Sequence, residues 1–388
     1  MINFEYKNEA IPNSATEEAI LSMNYAIKMT KSGNQEKALI LFQRALDLAP
    51  GNPNILNSYG EYLERIGQNL MEADFYYQRA LNISPCHPGA LENHKRTLPL
   101  VNKLDECLQQ NIARKKDEIV TFSDSDVFKE VSNDIKSRYV YHTVGIEGNT
   151  MTLAQTRLIL ESRNPIPDKS LIEYNEILGI DNALKYLDST LLNKPSDISE
   201  ENLLHIHSYV LGLVDPSESG AYRHTQVFVN GHKPPPPQEV NFLMSEFISW
   251  LNSTDARSLH PIKYAALAHF KLVSIHPFTD GNGRTSRLLM SLILMRAKYP
   301  LIIVNKEEKI PYFRALEAAQ QGDVRPFIRY VTHSVEETLN VFLLAMSNPA
   351  SNLALELKNV KSTRCGENVF KLIGLPANGE DRALIAPR

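Results

Sequence analysis

Within twelve residues, His276-Pro-Phe-Thr-Asp-Gly-Asn-Gly-Arg-Thr-Ser-Arg287 gathers an imidazole, a carboxylate, a glycine-rich turn and two guanidinium groups. Gly281-Asn282-Gly283 before an apolar run predicts a loop opening into a helix. The first N–H groups of that helix and its positive dipole end make an anion site, and phosphate is the natural guest. Arg284 and Arg287 are three apart, hence on one face, and add charge-assisted bonds to phosphate oxygens. Asp280 supplies a hard oxygen, the kind of ligand a magnesium ion takes while bridging phosphates. His276, as a neutral imidazole, can remove a proton from an incoming hydroxyl while the helix end and cation stabilise charge on the transferring group.

These groups need a rigid frame. A helix over 263–275, with Ala265, Ala268, Leu272 and Ile275 on one face, leads into the motif. Another, roughly Thr285 to Met295, leaves it and is apolar almost all round, so it must be buried. A helical pattern from Val127 to Ile146 stops at Glu147-Gly148-Asn149, where Gly148 suits a left-handed position after the last turn. Thr152-Leu-Ala-Gln155 has the capping-box spacing that opens the next helix. Further on, Arg223 to Val229 alternates and ends at Asn230-Gly231, a hairpin signal, before Pro234 to Pro237 force extended backbone.

Nearer the N-terminus, Ala38, Phe42, Ala45 and Pro50 recur 35 residues later as Ala73, Tyr77, Ala80 and Pro85. Small residues let two helices cross closely, an aromatic fills the groove beside them, and proline ends the second helix. Two such repeats, 16–50 and 51–85, bury little alone, so 89–116 is expected to pack on them as a capping helix. Residues 1–88 are thus assigned to repeats, 89–126 to a capping and linker helix, 127–347 to a catalytic helical domain, and 348–388 to a disordered tail. The expected fold class is all-α with one small β-hairpin.

His276 to Arg287 resembles the Fic-domain signature at every defined position: His-Pro-Phe, any residue, Asp or Glu, Gly-Asn-Gly-Arg, two residues, Arg. Thr143-Val-Gly-Ile-Glu147-Gly-Asn149 resembles the inhibitory-helix motif of the same family, and the paired segments resemble tetratricopeptide repeats. Their order, together with 150–163, 215–227 and 317–329, is similar to metazoan Fic proteins of the endoplasmic reticulum. The resemblance implies transfer of AMP from ATP to a hydroxyl side chain of a target protein, with Mg²⁺ or Mn²⁺, and also removal of that AMP. It implies that His276 is the base and Asp280 the metal ligand. Gly281, Asn282, Gly283, Arg284 and Arg287 would bind phosphates, and Tyr312 and Gln320 would contact the nucleoside, although asparagine is expected at Gln320. The flap would be formed by Val229, Asn230, Gly231 and His232, lining up the target by strand addition. Glu147 would restrain Arg287, and in removal would align a water. The implied partners are the Hsp70-class chaperone BiP, helped by the repeats, and a second copy joined through Leu171; the implied compartment is the endoplasmic-reticulum lumen.

Composition narrows the alternatives. The 388 residues carry 41 basic and 45 acidic side chains, a net charge of −4, and 43% are apolar, which favours neither a nucleic-acid-binding surface nor a disordered chain. Cys86, Cys107 and Cys365 have no metal-like spacing. No apolar run is long enough to span a membrane, and no leader pattern is visible in the first thirty residues. His205 and His207, two apart, lack the spacing of a helical metal pair and are expected to be structural or exposed; His269 is expected to pack rather than react.

Overall fold

The computed structural model describes residues 13–67, 69–192, 197–229, 233–347 and 367–375, and their regular structure is helical, as expected. In chain order the helices are α1 (Asn13–Lys31), α2 (Gln35–Leu48), α3 (Pro53–Arg65), α4 (Leu70–Ile83), α5 (Pro88–Val120), α6 (Asp126–Ile146), α7 (Leu153–Ser162) and α8 (Leu171–Tyr186). They continue with α9 (Glu200–Leu211), α10 (Pro237–Leu251), α11 (Thr254–Arg257), α12 (Pro261–Ile275), α13 (Asn282–Arg296), α14 (Lys309–Gln320) and α15 (Arg325–Ser347). A last short helix, Glu367–Ile373, departs from the disordered tail expected from the sequence. Val369 and Ile373, one turn apart, are buried there together with Leu375, a pattern too short to stand out by periodicity.

The chain divides into two compact units. The first runs to Cys107 and includes Gln321–Asp323 and the described residues from Phe370. Its 35-residue recurrence becomes two hairpins, α1 with α2 and α3 with α4. Ala26, Ala38, Ala45, Ala73 and Ala80 are wholly buried in them. Gly60 is required by close approach, since a Cβ there would lie 2.5 Å from the Tyr77 ring. Asn34, Asn52 and Asn69 accept from the first turns of α2, α3 and α4, satisfying N–H groups that those helix starts leave open. Over the stretch expected to form a capping and linker helix, α5 runs unbroken from Pro88 to Val120, and the division between units falls inside it, after Cys107.

The second unit is built on α12 and α13, with α6, α8 and α9 also packed against α13. Burial of α13 on every side matches its sequence, but it begins at Asn282, three residues earlier than predicted, so Asn282 and Gly283 belong to its first turn. α6 ends as its sequence requires, with Glu147 at the C-cap and Gly148 at φ +108°. The Thr152–Gln155 capping box then starts α7. Among the described residues 223–229 there is no strand, only a single bridge at Val229. Asn230, Gly231 and His232, the turn of the expected hairpin, lie outside the described residues.

Candidate active site

The loop from His276 to Gly281 joins two buried helices, and three side chains set its shape. His276 caps α12 in a left-handed conformation, φ 51°, with its N–H donating to Leu272 O at 3.0 Å. Its Nδ1 lies 3.3 Å from Val273 O; because a carbonyl only accepts, that contact places the proton on Nδ1 and leaves Nε2 as the basic atom. Asn282 folds back on the loop, accepting from Phe278 N–H at 3.0 Å and donating to Phe278 O at 2.8 Å. The side chain thus shapes the loop, with one amide N–H and its oxygen committed to Phe278.

His207 was expected to be structural or exposed, and it is a pillar of the loop. Its ring stacks on Phe278 at 3.7 Å between centroids and 5° between planes. Nδ1 accepts from Gly220 N–H at 2.9 Å, so Nε2–H donates to Asp280 O, also at 2.9 Å. Burial pushes this imidazole down to about 4, outweighing the carbonyl bond that favours its charged form, so it is neutral at pH 7.

Gly281, at φ +79°, precedes the first turn of α13, and no side chain caps that end. Gly281 N–H donates to Asp280 Oδ1 at 2.6 Å, and the N–H groups of the first turn have no partner within the helix. Arg284, fully buried, donates to Asp280 Oδ2 at 2.9 Å and to Glu176 Oε1 at 3.4 Å. Arg287, 1% exposed, donates through Nη2 to Glu147 Oε1 at 2.6 Å and to Thr143 O at 3.0 Å. The Nε atoms of both arginines are buried with no hydrogen-bond partner among the described residues. Burial opposes the charge on Arg287, but the adjoining Glu147 carboxylate more than offsets it and holds the guanidinium above its usual range. The glutamate at the end of α6 and the arginine in α13 thus meet as expected, while Glu176 is a partner that sequence spacing could not supply.

The remaining predicted residues are dispersed. Tyr312 is 1% exposed, behind Arg287, with its hydroxyl 3.5 Å from Nη1 and 2.9 Å from His269 Nε2. Burial raises its phenol to about 12 and lowers His269 to about 3, the Arg287 charge adding to the latter. The Tyr312 hydroxyl thus packs between Arg287 and His269, with little surface left for the nucleoside contact the resemblance implies, and His269 packs as predicted. Gln320 is half-buried at the end of α14, eight residues past Tyr312 and so about 12 Å further along the helix. Leu171 opens α8 with 64% exposure. Val229 is half-buried beside the exposed Phe228. No cluster of three or more His, Cys, Asp or Glu is placed to bind a metal among the described residues. Asp280, 35% exposed, offers a single carboxylate, which fits a magnesium ion that draws its other ligands from phosphates and water.

Sequence buried in this geometry is widely matched. Residues 197–294, from just before α9 to within α13, match the Fic/DOC family. "Protein adenylyltransferase Fic" of Aedes aegypti is 48% identical over 344 residues, spanning 88% of this chain and 69% of that protein. The protein of the same name from Culex quinquefasciatus is 46% identical over 354 residues, 90% of this chain and 71% of that one. The solved structure of Fic-1 from C. elegans, residues 134–508, superposes with a TM-score of 0.80 at 40% identity, covering 86% of this chain and all of that one.

Proposed function

The chain belongs to the Fic family, and from that footing we propose that it is a protein adenylyltransferase held in check by Glu147. One observation carries this: both arginines at the open end of α13 are already engaged by carboxylates where a nucleotide's phosphates would lie. In transfer, His276 Nε2 takes the proton of a target hydroxyl as its oxygen attacks the α-phosphorus of ATP. The bond to the β-phosphate breaks, pyrophosphate leaves, and the target carries AMP as a phosphodiester. The amides at the start of α13 stabilise the charge gathering on the phosphoryl oxygens. Asp280 would hold Mg²⁺, which supplies further charge neutralisation when bound. With Glu147 on Arg287, the terminal phosphate lacks its guanidinium and the α-phosphorus is not lined up.

The reverse task uses the same groups. A water aligned by Glu147 attacks the phosphorus and gives one proton to that carboxylate, the bond to the target oxygen breaks as that oxygen takes a proton from His276, and AMP is released. The proposed target is the Hsp70-class chaperone BiP in the endoplasmic-reticulum lumen, engaged through the repeats; this rests on the family resemblance. Leu171 and Ile172, 64% and 59% exposed at the start of α8, support a contact with a second copy of the chain.

The test incubates the chain, Glu147→Gly, and Glu147→Gly with His276→Ala, each with Mg²⁺ and ATP labelled on the α-phosphate. Label reaching the chain itself or BiP mainly in the single variant, and vanishing in the double variant, is expected. No transfer by any of them, with uptake from another nucleotide instead, would replace AMP transfer by transfer of a different phosphate-containing group.

A further inference from the structure

Arg223 belongs to none of the roles above, yet it is among the most deeply buried cations of the chain, at 1% exposure. Its hydrogen-bond partners among the described residues are backbone carbonyls. Nε donates to His276 O at 2.7 Å, Nη1 to Thr225 O at 3.0 Å and Nη2 to Pro235 O at 2.6 Å. Its own N–H donates to Pro277 O at 2.9 Å. Thr225 and Pro235 bracket the segment that would receive a target strand, and His276 holds a left-handed backbone that a non-glycine residue keeps only when its surroundings fix it.

We propose that Arg223 is a positioning residue whose single planar fork aligns the target-binding segment with the base His276. The inference rests on the transferase reading and goes beyond it, because it says how strand register and base orientation are coupled. The three carbonyls are met by three different nitrogens held in one plane, whereas an ammonium carries its three N–H bonds on one nitrogen and a neutral amide has two N–H bonds on one nitrogen, so neither reproduces that spread. A local comparison stands beside it. Gln226 Nε2 donates to Val227 O and Pro234 O, both at 3.0 Å, tying the same segment together without a bond to His276.

The experiment uses the full chain carrying Glu147→Gly, compared with the same chain bearing Arg223→Lys or Gln226→Ala. Six quantities are read: thermal midpoint, KM for ATP, kcat, KM for BiP, the imidazole resonances of ¹³C-labelled histidines and amide exchange at 224–229. Arg223→Lys is expected to fold, keep the KM for ATP, lose at least about tenfold in kcat, raise the KM for BiP, speed exchange at 224–229 and shift the His276 resonance. Gln226→Ala is expected to speed exchange and raise the KM for BiP while leaving kcat and the His276 resonance in place. An Arg223→Lys chain that folds with kcat within about twofold of its parent, or with an unmoved His276 resonance, overturns the proposal. So does a loss shared equally with the KM for ATP, which would mark a general collapse. If the parent transfers nothing, the transferase reading fails, and the resonance and exchange data still decide the coupling.

Discussion

Glu147 and Arg287 form a buried pair with a 2.6 Å bond, and breaking it has two opposed consequences. Glu147→Gly should raise AMP transfer roughly tenfold or more, an effect of about 1.4 kcal/mol on the productive complex, measured with α-labelled ATP. It should also cost about 3 kcal/mol of stability, the low end for an orphaned buried charge because the glutamate is 20% exposed, and ATP should restore much of that in a thermal melt. His207 gives a pH prediction. Its imidazole is near 4 when folded and 6.5 when unfolded, so as pH falls the unfolded chain binds the proton first. The stability it contributes is complete above pH 6.5 and lost between 6.5 and 4, about 3 kcal/mol in all. Thermal midpoints recorded across that window should fall, and the slope should flatten in His207→Gln.

At the scale of elements, Gly283 shows how the start of α13 serves function against stability. A Cβ there would lie 2.6 Å from Glu147 Oε1 and 3.1 Å from Arg287 Nη1, although a helix ordinarily favours alanine over glycine by roughly 0.5–1 kcal/mol. In a chain already carrying Glu147→Gly, adding Gly283→Ala should leave the thermal midpoint unchanged or higher while ATP binding, followed by calorimetry, falls. Helix termini were the most legible features of the sequence, because caps and left-handed residues are local chemistry. Gly148 after α6, Thr152 with Gln155 before α7 and the buried character of α13 all appear as expected. The onset of α13 did not, since Gly281-Asn282-Gly283 has loop composition and the helical start there is imposed by Asn282 bonding Phe278. Arg223, Glu176 and the burial of Tyr312 were illegible for one common reason: each depends on elements far apart in the chain meeting, and spacing carries no record of that.

For the molecule as a whole, exposure of Leu171 and Ile172 leads to a test of assembly. If the proposed second copy docks here, Leu171→Asp should lower the sedimenting mass to that of a single chain and shift the proposed balance from removal towards transfer; an unchanged mass would sink that contact. The repeat pattern was readable along the sequence as two hairpins, whereas the division inside α5 was not, because a continuous helix has no local mark where its neighbours change. The contact of Glu147 with Arg287 also has a reciprocal face. If the last turn of α6 and a triphosphate compete for one guanidinium, each must weaken the other by the same factor, whichever arrives first. Saturating nucleotide should then loosen that turn, and anything that steadies it should be registered as weaker nucleotide affinity. The end of α6 thus behaves as a tethered ligand whose strength can be titrated from either side.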